Sequence, residues 1–250
     1  MEGLSDHRVL VPDRAGYGRS GDETLGIAEN ADVLADLLVE RDAVPATIVG
    51  HSYGGGVAIL LAVRRPELVS GLVLVGSVGQ ADSLTVVDRV LAAPFAGEGV
   101  AAMGLLTLGR VLPALRTATG SGGGAVRAWL RASLPDDHYS RVSSQRGRKV
   151  WRSFVAEQRS LLREIGGVEA ALGEGSVPTV VVSGAWDVVV PRAVSARIAA
   201  AIPGAELVSV PGVGHFVPRD APEVVVDAIT RVEQLAARGG EEAAGGWAGA

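Results

Sequence analysis

The chain has 250 residues, 48% of them hydrophobic, and a formal net charge of −5. That length and apolarity allow a large buried core in one globular domain with room for an insert, and exclude disorder for most of the chain. The acidic balance argues against a nucleic-acid footprint, and the absence of cysteine removes disulfides, cysteine nucleophiles and thiolate metal sites together, in keeping with a reducing compartment. Met1 to His7 hold no basic region followed by an apolar core, and no apolar run approaches the roughly 20 residues that span a bilayer. The expected location is therefore cytoplasmic, with no secretory signal and no membrane span.

In chain order, Arg8 to Pro12 reads as a short buried strand. The stretch Asp13 to Gly21 reads as a loop, in which Gly16 and Gly18 permit a sharp bend and Asp13 bonds the turn's own amides. Ile27, Ala31, Leu34 and Leu38 recur at helical spacing and predict an amphipathic helix over Glu29 to Arg41. Thr47 to Gly50 then predicts a strand that stops at Ser52, and Val57 to Val63 a buried helix that ends near Pro66. A further apolar run, Leu72 to Val75, is too short for a helix. Strands alternating with helices predict an α/β fold, a mostly parallel sheet covered on both faces.

The alternation breaks over 80–172, which holds glycines at Gly120 to Gly124 and prolines at Pro94, Pro113 and Pro135, and reads as a helical cap or lid insert over the sheet edge. Its basic residues Arg141, Arg146, Arg148, Lys149, Arg152, Arg159 and Arg163 read as a solvated helix face, with an acidic substrate or a membrane surface as the alternative. The rhythm returns with a strand at Val177 to Gly184, a helix from Arg192 to Ile202, a strand at Glu206 to Val210, a loop from Pro211 to Arg219 and a helix from Glu223 to Ala236. The core is thus expected over 1–79 and 173–237, and a disordered tail over 238–250.

Gly50-His51-Ser52-Tyr53-Gly54 is a glycine-flanked serine between a strand and a helix, the form of a nucleophile elbow. Residues two before and two after such a serine crowd each other, so Gly50 and Gly54 fit there, and the Tyr53 N–H is aimed at an oxyanion developing above Ser52. A serine hydroxyl needs a base, and the base needs a carboxylate to fix its tautomer. Four histidines are available. His7 precedes the first strand, His138 lies in the insert, and the His51 ring is expected to turn away from the serine. His215, between glycines after a late strand, is the expected base. Asp187, in a tight turn after the strand ending at Ser183, is the expected acid, with Asp82 as runner-up. Asp13 and Asp220 read as turn former and helix cap.

On these residues the chain resembles the α/β-hydrolases. Asp13 to Ser20 is similar to the loop after that family's fourth strand, Gly50 to Gly54 to its elbow, Gly184-Ala185-Trp186-Asp187 to its acid turn, and Gly214-His215-Phe216 to its histidine loop. The resemblance implies catalytic roles for Ser52, Asp187 and His215 in the chain order Ser, acid, His, a variable cap at 80–172, and no metal or organic cofactor. It also implies that about three strands, and the His-Gly loop giving the second oxyanion donor, are missing before Arg8, so an incomplete chain or a misplaced start is expected. Arg8 to Pro12 should then stand about two strand spacings from Thr47 to Gly50, the alternative being direct pairing of the two.

The expected activity is cleavage of an ester or related acyl bond of a small, apolar molecule through an acyl-enzyme on Ser52. A cofactor-free haloperoxidase or a carbon–carbon bond hydrolase is the alternative within the family, and a non-catalytic truncated remnant the alternative outside it. The serine argues against epoxide hydrolases and haloalkane dehalogenases, which place an aspartate at the elbow.

Overall fold

The computed structural model describes residues 3–21, 23–95, 97–100 and 150–245. Its centre is a parallel four-stranded sheet, β1 (Ala46–His51), β2 (Val69–Val75), β3 (Thr179–Gly184) and β4 (Glu206–Val210), in the order β1-β2-β3-β4. The central strands β2 and β3 are near-continuous apolar runs because both faces are covered: Val73, Leu74, Val75, Val180, Val181 and Val182 are all fully buried. Alternate residues serve opposite layers. Leu72, Leu74 and Val181 face a core shared with α1 (Ile27–Glu40), α2 (Tyr53–Arg64), α4 (Val150–Ala171) and α5 (Arg192–Ala201). Val73, Val75, Val180 and Val182 face Val225, Ile229 and Val232 of α7 (Pro222–Gly245). Two short helices, α3 (Val86–Ala92) and α6 (Val217–Asp220), lie beside these elements in the chain.

The register positions the functional loops. His51 pairs with Val75, Val75 with Val182, and Gly184 with Val210, so β1 to β4 all end at one edge of the sheet. The segments that follow, beginning at Ser52, Gly76, Ala185 and Pro211, must meet there, which is where ligands of parallel α/β sheets bind.

Arg8 to Pro12 is neither strand nor buried: Val9, Leu10 and Val11 are 41%, 39% and 79% exposed. An apolar run becomes a strand only with a partner for its backbone, and among the described residues nothing pairs with β1 on the side away from β2. The segment is held instead by Arg8, whose guanidinium donates to the carbonyls of Arg41 (2.7 Å) and Asp42 (3.1 Å) at the end of α1. Direct pairing with the elbow strand is thus absent, and Val49 on β1 is 42% exposed.

Within the 80–172 stretch, residues 101–149 lie outside the described residues, and with them His138, the glycine run and Arg141, Arg146, Arg148 and Lys149. In the described part, α4 packs on α1 and α2 and buries Leu161, Ile165 and Val168 in the same core as Ile59 and Leu61. Arg152 and Arg163 are exposed, whereas Arg159 donates to the Ala92 carbonyl (3.0 Å) and pairs with Glu98 (2.6 Å). The last helix departs from the expected tail at 238–250, because α7 continues through Gly239 and Gly240 to Gly245. Glycine costs a helix only about 1 kcal/mol per residue, and Glu241-Glu242-Ala243-Ala244 behind the pair are helix formers. Among the described residues no helix is long and apolar enough to cross a membrane.

Candidate active site

Ser52 caps α2 with φ 54° and ψ −122°, a left-handed backbone conformation that costs a serine on the order of 1–3 kcal/mol and persists only where its surroundings enforce it. Three hydrogen bonds do so. The Ser52 amide donates to Val75 O at 3.0 Å, and its carbonyl accepts from the amides of Gly55 (2.9 Å) and Val78 (3.1 Å). Gly50 is required by close approach, since a Cβ there would stand 2.7 Å from both the Gly54 carbonyl oxygen and the Gly55 Cα. Gly54 is less constrained than the spacing predicts, for a Cβ on it would meet nothing nearer than the Arg14 guanidinium at 3.9 Å. As the first residue of α2, Tyr53 carries an amide with no intrahelical acceptor, at the positive end of the helix.

His215 and Asp187 meet as a buried pair. The His215 Nδ1–H donates to Asp187 Oδ2 at 2.9 Å, which leaves Nε2 as the nitrogen able to accept a proton. Asp187 Oδ1 accepts from the amides of Val189 (2.9 Å) and Val190 (2.8 Å), so its turn fixes the carboxylate before the histidine arrives. Gly76, at the end of β2, closes over the pair: its φ is +48°, and a Cβ there would lie 3.0 Å from Asp187 Oδ2 and 3.3 Å from His215 Nδ1. No hydrogen bond joins the Ser52 hydroxyl to the His215 ring among the described residues. Such contacts are commonly loose until substrate is bound.

The other candidates lie elsewhere. Asp82 is exposed and pairs with Arg197 at 3.0 Å. Asp13 closes its own loop, accepting from the Arg19 amide (3.0 Å) and the Ser20 hydroxyl (2.6 Å), and Asp220 pairs with Arg219. His7 bonds Glu233 at 3.2 Å on the surface. Among the described residues no group of three or more His, Asp or Glu side chains could hold a metal ion.

His51 departs from expectation, because its ring does not turn away from the site. Its Nε2–H donates to the His215 carbonyl at 2.9 Å, and the two rings lie 4.8 Å apart. Burial, then the neighbouring His215, push its pKa down from 6.5 to about 4. The depressed value means that the unfolded chain binds a proton that the folded chain refuses between pH 6.5 and 4. This contribution to stability is intact above pH 6.5 and is lost as the pH falls to 4, on the order of 3 kcal/mol. His51→Gln, which keeps a donor but does not titrate, is expected to flatten the acid limb of a plot of urea midpoint against pH. An unchanged limb would show that His51 does not carry it.

Sequence reasoning also missed Arg14 and Glu157. Arg14 Nε and Nη2 donate to Glu157 Oε1 at 3.0 and 2.5 Å, and the Tyr17 hydroxyl donates to Oε2 at 2.7 Å. The guanidinium lies 5.3 Å from the Tyr17 ring centre and 5.2 Å from that of Tyr53. Burial opposes its charge, yet Glu157 raises its pKa overall, while burial raises that of the Tyr17 hydroxyl.

Comparison with known proteins gives the family and the fold. The sequence model of the Alpha/beta hydrolase family matches residues 1–228. Rv2715, an uncharacterized protein of Mycobacterium tuberculosis, is 32% identical over 232 residues, covering 89% of this chain and 66% of its own length, so the chain spans slightly less than two thirds of that relative. The 2-hydroxymuconate semialdehyde hydrolase of Pseudomonas sp. strain CF600 is 40% identical over 82 residues, 31% of this chain and 29% of the relative. A meta-cleavage product hydrolase from Pseudomonas fluorescens IP01 superposes with a TM-score of 0.68 over 94% of this chain and 82% of that one, at 23% identity, a likeness of fold.

Proposed function

The chain belongs to the alpha/beta hydrolase family, and from that premise we propose that it is a serine hydrolase that cleaves an ester or related acyl bond of a small, apolar substrate through an acyl-enzyme on Ser52. The observation that carries the reading is the buried Asp187–His215 pair at 2.9 Å, on the same sheet edge as a serine held at φ 54°. Ser52 Oγ attacks the carbonyl carbon as its proton passes to His215 Nε2, and the resulting oxyanion faces the Tyr53 amide at the N-terminus of α2. His215 returns the proton to the departing alkoxide, leaving Ser52 acylated. Water then attacks the acyl carbon while His215 takes its proton, and collapse of the second tetrahedral intermediate releases the acid and restores the serine. Asp187 holds the imidazole with Nδ1 protonated throughout and balances the imidazolium.

Tyr53 supplies one oxyanion donor, and no second is assigned among the described residues. A second reading, hydrolysis of a carbon–carbon bond, is favoured by the 40% identity over 82 residues to 2-hydroxymuconate semialdehyde hydrolase. Hydrolysis of 2-hydroxymuconate semialdehyde faster than of a short aryl ester would decide for it.

The shared premise is tested by a fluorophosphonate probe. An activated Ser52 is modified at a single site that peptide mass spectrometry reads, and Ser52→Ala abolishes the adduct. Absence of labelling in the wild-type chain would leave the triad a relic.

A further inference from the structure

Helix α4 carries a buried polar stripe that the proposed chemistry does not use. Ser153, Glu157, Ser160 and Glu164 recur at intervals of four, three and four residues and so share one face of the helix. The first three are buried, at 6%, 4% and 2% exposure, while Val155, Leu161, Ile165 and Val168 turn to the apolar core. An amphipathic helix normally gives its polar face to water. Here every member of that face reaches a neighbouring element. Ser153 Oγ donates to the Gly16 carbonyl at 2.8 Å, and Glu157 takes Arg14 and Tyr17. Glu164 accepts from the Ala28 amide at 2.9 Å, near the start of α1.

Ser160 closes the arrangement. Its hydroxyl donates to Glu164 Oε1 at 2.6 Å, so toward its other partners it acts as acceptor, from the Ile27 amide at 3.2 Å and the Tyr53 hydroxyl at 3.1 Å. Tyr53 is therefore gripped twice by the same helix. Ser160 holds its hydroxyl, and Glu157 holds Arg14, whose guanidinium lies 5.2 Å from the ring centre. The backbone of that tyrosine carries the amide that follows the nucleophile at the start of α2. The pairs are 107 and 143 residues apart in sequence, so the grip joins the far end of the 80–172 stretch to the elbow.

We propose that Glu157, acting through Arg14, and Ser160 are positioning residues that fix Tyr53, and with it the amide that receives the oxyanion, so that the seating of α4 sets the rate of the chemical step. The proposal rests on the serine-hydrolase reading but fails separately from it. A tyrosine free to rock moves its own N–H, and misplacement of a reacting group by about an ångström can cost about a hundredfold. Only the step that develops charge on the oxygen feels this, so substrate affinity is spared.

The test is the phosphonylation rate of Ser52 by a fluorophosphonate, resolved into a maximal rate constant and a half-saturating concentration, for wild type, Glu157→Gln, Tyr53→Phe and the double variant. Tyr53→Phe removes only the hydroxyl bond to Ser160 and leaves every charge paired, so it reports even where Glu157→Gln does not fold. The maximal rate constant is expected to fall about tenfold in Glu157→Gln and about threefold in Tyr53→Phe, with half-saturation within about twofold of wild type. The double variant should lose more than the product of the two, because either grip alone partly holds the ring. A role confined to stability lowers the urea midpoint and leaves the maximal rate constant unchanged, and that outcome overturns the proposal, as does a loss seen only in half-saturation. No labelling of the wild type would instead sink the underlying assignment of Ser52.

Discussion

Alanine at Ser52 or at His215 is expected to lower kcat on an aryl ester by roughly 10⁴- to 10⁶-fold, and the double variant to be little worse than either single one. Neither residue does its part without the other: the hydroxyl is a weak nucleophile unless its proton has a destination, and the imidazole has no proton to take once the hydroxyl is gone. What survives is the contribution of the Tyr53 amide and of substrate binding, the same in all three variants. Steady-state kinetics on the single and double variants check this. Losses that multiply would mean two independent contributions, and the pairing of Ser52 with His215 would be wrong.

The residues of the candidate site are legible in the sequence because each sits where local sequence rules act. Ser52 follows an apolar run and precedes a helix, Asp187 and His215 follow strands, and β-branched runs such as Val180 to Val182 read as strands buried on both faces. Parallel register then needed no further information to bring their loops to one edge. The misreadings share a different cause. Arg8 to Pro12 has the composition of a strand, but strand formation depends on a partner that a local pattern does not contain. The direction of the His51 ring was hidden because its acceptor, the His215 carbonyl, is 164 residues away. Arg14 and Glu157 were invisible for the same reason, and Glu157 further so because the basic residues around it give α4 the look of a solvated helix. The glycine- and alanine-rich composition of 238–250 suggests a tail, yet the helix formers behind Gly239 and Gly240 carry α7 onward to Gly245.

Asp187 gives the second large effect, and its two substitutions separate chemistry from folding. Asparagine can keep its oxygen where Oδ1 stands, accepting from the Val189 and Val190 amides at 2.9 and 2.8 Å. Its NH₂ then replaces Oδ2 at the His215 ring, where a donor now faces Nδ1. Nδ1 must give up its hydrogen and accept, the hydrogen moves to Nε2, and the nitrogen that should take the serine proton is blocked. A wrong tautomer of this kind costs about ten-thousandfold in kcat with little change in structure. Alanine removes the acceptor altogether, leaving two loop amides and the His215 N–H with nothing to bond, at about 1–3 kcal/mol for each group that stays buried. Asp187→Asn is therefore expected to unfold in urea close to wild type while losing nearly all turnover, whereas Asp187→Ala should lose turnover and stability together. Wild-type turnover in Asp187→Asn would remove Asp187 from the triad, whatever its distance from His215.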